Sequence, residues 1–165
     1  MKPIDVLILM GSDSDAPIMS AARDALTEFG LTAEMTVASA HRSPARVLRL
    51  VHEAPARGVK VFIVGAGAAA HLAGVVAAHT TRPVIGVPID SSALNGMDAL
   101  LSTVQMPPGV PVATVAIGEP GATNAGVLAA QMIALGNPDV AKKLENYKRS
   151  LEEKVEAAAK RIETT

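Results

Sequence analysis

Aliphatic and β-branched residues gather in short runs along this chain, and between the runs apolar positions recur at spacings of three and four. The runs fall at residues 4–10, 32–37, 61–64, 84–87 and 112–117. Most carry Val, Ile and Leu with little polar alternation, which marks strands buried on both faces. The stretches at 16–29, 44–56, 69–80, 97–104 and 121–135 read as helices. Gly30 and Arg57-Gly58 supply stops after the first two, and Pro44 suits a first helical turn. Strand followed by helix, repeated, implies a parallel sheet covered by helices on both faces. Right-handed crossovers leave few strand orders, and 2-1-3-4-5 is the expected one. The predicted fold is α/β: a doubly wound, flavodoxin-like three-layer sandwich around a five-stranded parallel sheet.

One segment lies outside that scheme. Residues 139–162 form an extra C-terminal helix with an apolar seam of Leu144, Tyr147, Leu151, Val155, Ala158 and Ile162. Charged residues fill its other face at helical pairing distances. The sheet already has a helical layer on each side. A helix of about 24 residues, roughly 36 Å long, should therefore overhang so small a domain. Folding back on its own domain is one outcome; gripping a neighbouring subunit is the favoured one. The expected division is residues 1–138 as the α/β catalytic domain and 139–165 as a helical arm of the same domain.

Composition then removes whole classes of function. The 165 residues are 49% hydrophobic and 19% charged, which suits a packed core rather than disorder. Fifteen basic residues against 16 acidic ones leave a net charge of -1, which argues against nucleic acid as a partner. The aromatic residues are Phe29, Phe62 and Tyr147 alone, too few for a base-stacking platform. The absence of cysteine removes disulfides, thiol nucleophiles and thiolate metal sites. Residues 61–78 are almost uncharged and raise the question of a membrane span. Gly65, Gly67, His71 and Gly74 interrupt them, so a strand, a turn and a buried helix explain them better, and no membrane is expected as a partner. With no apolar leader after Met1, the expected location is the cytoplasm.

In a doubly wound sheet, ligands bind beyond the carboxyl ends of the strands where the strand order reverses. Three loops meet there. The first is Met10-Gly11-Ser12-Asp13-Ser14-Asp15. Gly11 lets a ligand approach the backbone, Ser12 and Ser14 offer hydroxyls, and Asp15 suits sugar hydroxyls as an acceptor. Asp15 with Pro17 also reads as a helix start. The second loop is Ser39-Ala40-His41-Arg42-Ser43-Pro44, with Ser43 as the expected helix cap. Arg42 offers a planar fork to phosphate, and His41 offers an imidazole that can give or take a proton. The third is Gly65-Ala66-Gly67-Ala68-Ala69-Ala70-His71, whose backbone amides can hold an anion and whose His71 should open the next helix. A proline-rich connection over 105–111 lies where it could close over a ring. His52 and His79 sit away from the strand ends and receive no role. No HExxH, P-loop, GxGxxG or GxSxG pattern is present, so no metal and no nucleotide cofactor is expected. These residues describe a crevice for a small phosphorylated substrate and proton-transfer chemistry.

The same residues carry a resemblance. The three loops, together with Leu72, Gly86-Val87-Pro88, Leu94-Asn95-Gly96-Met97-Asp98, Val104-Gln105-Met106-Pro107 and Asn124-Ala125, resemble the N5-carboxyaminoimidazole ribonucleotide mutase family, the bacterial class I PurE enzymes. The likeness spans about residues 4–135. The class II carboxylase resembles the chain less, lacking the Ala-Ala-His-Leu element and carrying lysine where Arg42 stands. The resemblance implies conversion of a carbamate ribonucleotide to its ring-carboxylated isomer without a cofactor, in purine biosynthesis. It makes His41 the proton carrier and gives Ser12 and Asp15 substrate contacts. Arg42 and Ser39 take the phosphate, Ala66 and Gly67 lie near the carboxylate, and Ala40, His71 and Leu72 line the pocket. It also implies a homo-octamer. Ala68 and Ala73 depart from the family's usual glycine and proline; if residue 68 needs a positive φ, alanine there costs roughly 1 kcal/mol. A related carboxylase or decarboxylase on another aromatic ribonucleotide, or a silent nucleotide-binding scaffold, are the competing readings.

Overall fold

Every residue of β1 (Val6–Met10) is apolar and buried. Successive strand side chains point to opposite faces, so such a strand needs packing on both. The computed structural model, which describes residues 3–164, supplies it. Val6, Ile8 and Met10 pack with Met19, Leu26, Ala125 and Ala129, whereas Leu7 and Leu9 pack with Val47, Val51, Leu72 and Val76. The first layer is built from α1 (Ala16–Glu28) and α5 (Glu119–Ala134). The second is built from α2 (Pro44–Glu53), α3 (Leu72–Ala77) and α4 (Met97–Val104). β1 lies between β2 (Ala33–Val37) and β3 (Val61–Gly67), and β4 (Val84–Ile89) and β5 (Ala113–Thr114) follow, all parallel. The order is β2-β1-β3-β4-β5, as the hydrophobic pattern predicts.

Several elements depart from their expected bounds, each for a local reason. β3 continues past Val64 because Gly65, Ala66 and Gly67 still pair with Val87, Pro88 and Ile89. Glycine at 65 makes room for α1, since a Cβ there would lie 2.4 Å from Met19 Sδ. The helix expected over 69–80 starts only at Leu72. Ala68 takes a φ of +50°, and the amides of Ala70 and His71 donate back two residues to Ala68 O and Ala69 O at 2.8 Å. Those are successive tight turns, not helix. His71 therefore precedes α3 instead of lying within its first turn. β5 keeps only two ladder residues, although Val115 and Gly118 still donate to Gly86 O and Pro88 O. Proline has no N–H to return, so the ladder lapses there. The second helix is also shorter than expected, breaking at Ala54 into a single tighter turn over Pro55–Arg57.

The last helix, α6 (Pro138–Glu163), is capped by Asn137, whose side chain accepts the Val140 amide at 3.3 Å. Val140 is buried, and the Tyr147 ring meets Phe29 edge-on with centroids 5.3 Å apart. Lys143 Nζ donates to Phe29 O at 3.1 Å, answering the carbonyl end of α1. Beyond that turn the seam is open, with Leu151, Val155 and Ile162 exposed by 43%, 67% and 78%. The first half of α6 thus folds onto its own domain, and the second half leaves it. Among the described residues no helix is long and apolar enough to cross a membrane.

Candidate active site

At the carboxyl ends of β1 and β3, where the strand order reverses, the loops enclose a crevice of about 290 Å³. That is close to the lower bound for small-ligand sites, about 300 Å³. The strand ends are held together by the Gly11 amide, which donates to Gly65 O at 3.2 Å.

The loop after β1 closes on itself. The Ser12 amide donates to Asp15 Oδ2 at 3.1 Å, and the Ser14 amide donates to Ser12 Oγ at 3.3 Å. Asp15 occupies the cap position of α1, yet its side chain makes no bond to that helix; it turns back toward Ser12. Only 5% of Asp15 is exposed. Burial pushes its carboxyl above the usual aspartate range, against the opposing pull of the Ser12 amide, the Ser14 hydroxyl and the Arg42 charge. A carboxylate in that condition gains from any donor a ligand brings.

The loop after β2 is braced in a similar way. Ser43 precedes α2 as expected but does not cap it by its side chain. Instead the Ser39 amide donates to Ser43 Oγ at 3.1 Å, and Ser43 Oγ donates to Ser39 O at 3.2 Å. Ser39 Oγ accepts the Arg42 amide at 3.1 Å and Arg42 Nε at 3.4 Å, while Arg42 Nη2 donates across the crevice to Gly11 O at 2.7 Å. Arg42 joins the first two loops and still has guanidinium N–H groups to offer an anion. His41 Nε2 lies 2.9 Å from His71 Nδ1, with the rings nearly perpendicular at 86°. One of those two nitrogens carries the proton and the other accepts it.

Every expected site residue except His71 lines the crevice: Gly11, Ser12, Ser14, Asp15, Ser39, Ala40, His41, Arg42, Ala66, Gly67 and Leu72. His71 stands one residue back, reaching the crevice through His41. Ala69 and Ser91 also line it and were not singled out by the sequence. Their signal is the extension of β3 and β4, which carries both chains further toward the ligand. The 105–111 connection is not part of the wall. His52 and His79 lie elsewhere, with ring centroids 6.5 Å apart. Among the described residues, no three His, Cys, Asp or Glu side chains gather as metal donors would. The donors that do gather suit an anion, and the carboxylate suits hydroxyls.

Set beside known proteins, residues 5–154 match the family described as AIR carboxylase. The chain belongs to the AIR carboxylase family. Within that family it is 52% identical over 162 residues to the N5-carboxyaminoimidazole ribonucleotide mutase of Pyrococcus horikoshii, covering 98% of this chain and 90% of that one. It is also 52% identical over 163 residues to the phosphoribosylaminoimidazole carboxylase of Candida glabrata, covering 99% of this chain but 28% of that longer protein. The crystal structure of Treponema denticola PurE superposes with a TM-score of 0.85 at 28% identity, covering 94% of this chain and 96% of that one. The AIR carboxylase family fold thus accounts for nearly all of the chain.

Proposed function

We propose that this chain is a mutase converting N5-carboxyaminoimidazole ribonucleotide into 4-carboxy-5-aminoimidazole ribonucleotide in de novo purine biosynthesis. One observation carries the reading. Arg42, Asp15 and the His41 loop converge on a single crevice, in a chain about half identical to relatives named for that reaction. Asp15 accepts from the ribose hydroxyls, with Gly11, Ser12 and Ser14 beside it. Arg42, positioned by Ser39, holds the phosphate. Ala40, Ala66, Gly67 and Leu72 wall the base.

His41 gives a proton to the exocyclic nitrogen as its bond to the carboxyl carbon breaks, freeing carbon dioxide inside the site. The ring carbon attacks that carbon dioxide, and His41 takes the proton the ring carbon then loses. One N–C bond is exchanged for one C–C bond, the proton returns to His41, and the isomerisation is redox-neutral overall. The steps as written call for neither metal nor organic cofactor. His71, through its 2.9 Å contact, decides which His41 nitrogen carries the proton.

The working form under this reading is a cytoplasmic homo-octamer, in which residues 139–165 act as an arm. Support comes from the open half of α6 and from an apolar row of Leu94, Met97, Leu101 and Val104 that one chain leaves exposed. A monomer in sedimentation at micromolar concentration would defeat the assembly.

The decisive experiment offers purified protein either the carbamate ribonucleotide at low bicarbonate or 5-aminoimidazole ribonucleotide with carbon dioxide. Product from the first substrate, without ATP, is the expected result. Product from the second alone would favour a carboxylase, the activity for which the Candida glabrata relative is named. Product from neither would leave a nucleotide-binding scaffold.

A further inference from the structure

Ser91 lies two residues past the end of β4, in a tight turn where its amide donates to Ile89 O at 3.0 Å. Its side chain lines the crevice. A Cβ built on Gly67 would lie 1.8 Å from Ser91 Oγ and 2.9 Å from Ser91 Cβ, so the hydroxyl fills the space any side chain at 67 would need. Glycine at 67 therefore serves Ser91 as much as it serves the backbone. Among the described residues, every other serine hydroxyl has a hydrogen-bond partner within the chain. Ser91 has none.

The neighbouring backbone is open as well. Ala70 and His71 use their amides in the successive turns, whereas the amides of Ala68 and Ala69 make no hydrogen bond among the described residues. Of these, Ala69 lines the crevice with Ser91, so one unengaged N–H group and one unengaged hydroxyl lie on its β3–β4 side. Arg42 sits with the other two loops, at Ser39 and Gly11. If Arg42 takes the phosphate, the anion left for this second cluster is the carboxyl group.

We propose that Ser91 holds the carboxyl group in transit, donating its hydroxyl hydrogen to a carboxyl oxygen beside the open amide of Ala69. The inference rests on the mutase reading above. A donor placed there binds the carbamate, keeps freed carbon dioxide against the ring, and stabilises the carboxylate as the new bond forms. Ser91 takes no proton and makes no covalent bond; it decides whether carbon dioxide is recaptured or lost.

Ser91→Ala and Ser91→Thr test this, assayed beside the wild type for product and for 5-aminoimidazole ribonucleotide released. A hydrogen bond to a charged group is worth roughly 10- to 150-fold in rate terms. Ser91→Ala should therefore lower kcat/KM by about 30-fold and raise the fraction of turnovers that leak 5-aminoimidazole ribonucleotide and carbon dioxide. Ser91→Thr keeps a hydroxyl and should restore both to near the wild-type values. A wild-type protein that makes no product would end the mutase reading and this role together. Wild-type activity with an unchanged Ser91→Ala would end the Ser91 role alone. So would a slow Ser91→Ala that leaks no more than wild type and that threonine does not rescue, because a residue that only shapes the loop behaves that way.

Discussion

Asp5 and Asp15 lie on either side of β1 and are pushed in opposite directions. At the amino end, Asp5 accepts the Thr32 amide at 2.9 Å, the Thr32 hydroxyl at 2.8 Å and Lys60 Nζ at 2.8 Å. Burial raises its carboxyl, but Lys60 and Thr32 more than offset that and leave it below the usual range. Nearby, Arg57 grips Glu34 with two guanidinium nitrogens and lowers that carboxyl too. At the carboxyl end Asp15 is almost wholly buried, and burial wins. Apart from Arg57 Nε, which is buried without a partner, polar groups at the amino end answer one another, whereas those around the crevice keep capacity for a ligand. The lesson is that one strand separates the two duties: one end secures the fold, and the other tolerates groups that folding alone would not favour.

The strongest way to break that contrast is His41→Asn. Turnover should fall by about a hundredfold or more, the scale of general acid–base catalysis, with melting temperature and substrate binding close to wild type. Near-normal turnover beside a dead His71→Asn would hand the proton to His71. Next is Arg42→Lys, which keeps the charge and loses the fork. Steady-state kinetics should show KM rising about tenfold with a smaller change in kcat; the reverse split would move Arg42 into the chemical step.

Acid titration of stability sharpens the comparison from the other side. Asp5 is depressed in the folded state, so its contribution is fully present above the ordinary aspartate value near 3.9 and is lost as pH falls through its lower folded value. Asp15 is raised, so its ionisation costs stability at neutral pH, and the cost is relieved as pH falls through its folded value toward 3.9. Denaturation across pH 3–8 should show Asp5→Ala about 2 kcal/mol less stable at pH 7, with normal kcat per folded molecule. Asp15→Asn should be more stable than wild type at pH 7, lose that advantage near pH 4, and bind substrate less well. Variants that tilt the same way would erase the contrast. The smallest effect expected is Ala68→Gly, which relieves a left-handed alanine and should add about 1 kcal/mol in a denaturant melt.

The strand order and both helical layers were legible in the sequence because runs such as Ile63-Val64 and Leu7-Ile8-Leu9 admit no solvent face. The site loops followed from topology, since Asp15 and His41 lie just beyond strand ends and Gly67 is the last residue of β3. The 68–71 turns were not legible. Three alanines and a histidine look helical in isolation, and the left-handed backbone at Ala68 is set by tertiary contacts, among them Ser102 Oγ donating to Ala68 O at 3.3 Å. The loss of β5 residues depended on which edge of β4 Pro88 presents. Ser91 was missed because its approach to Gly67 follows from the extra paired residues of β3 and β4.

The open half of α6 has a consequence for the lifetime of the chain. Past Leu151 the seam residues Val155 and Ile162 stay exposed, and a helix of about a dozen residues is marginal in water. In a lone copy its amides exchange with solvent well ahead of those in β1, and its turns open to proteases. A chain that has found something to lean on keeps its tail; one that has not advertises the fact from its last three turns.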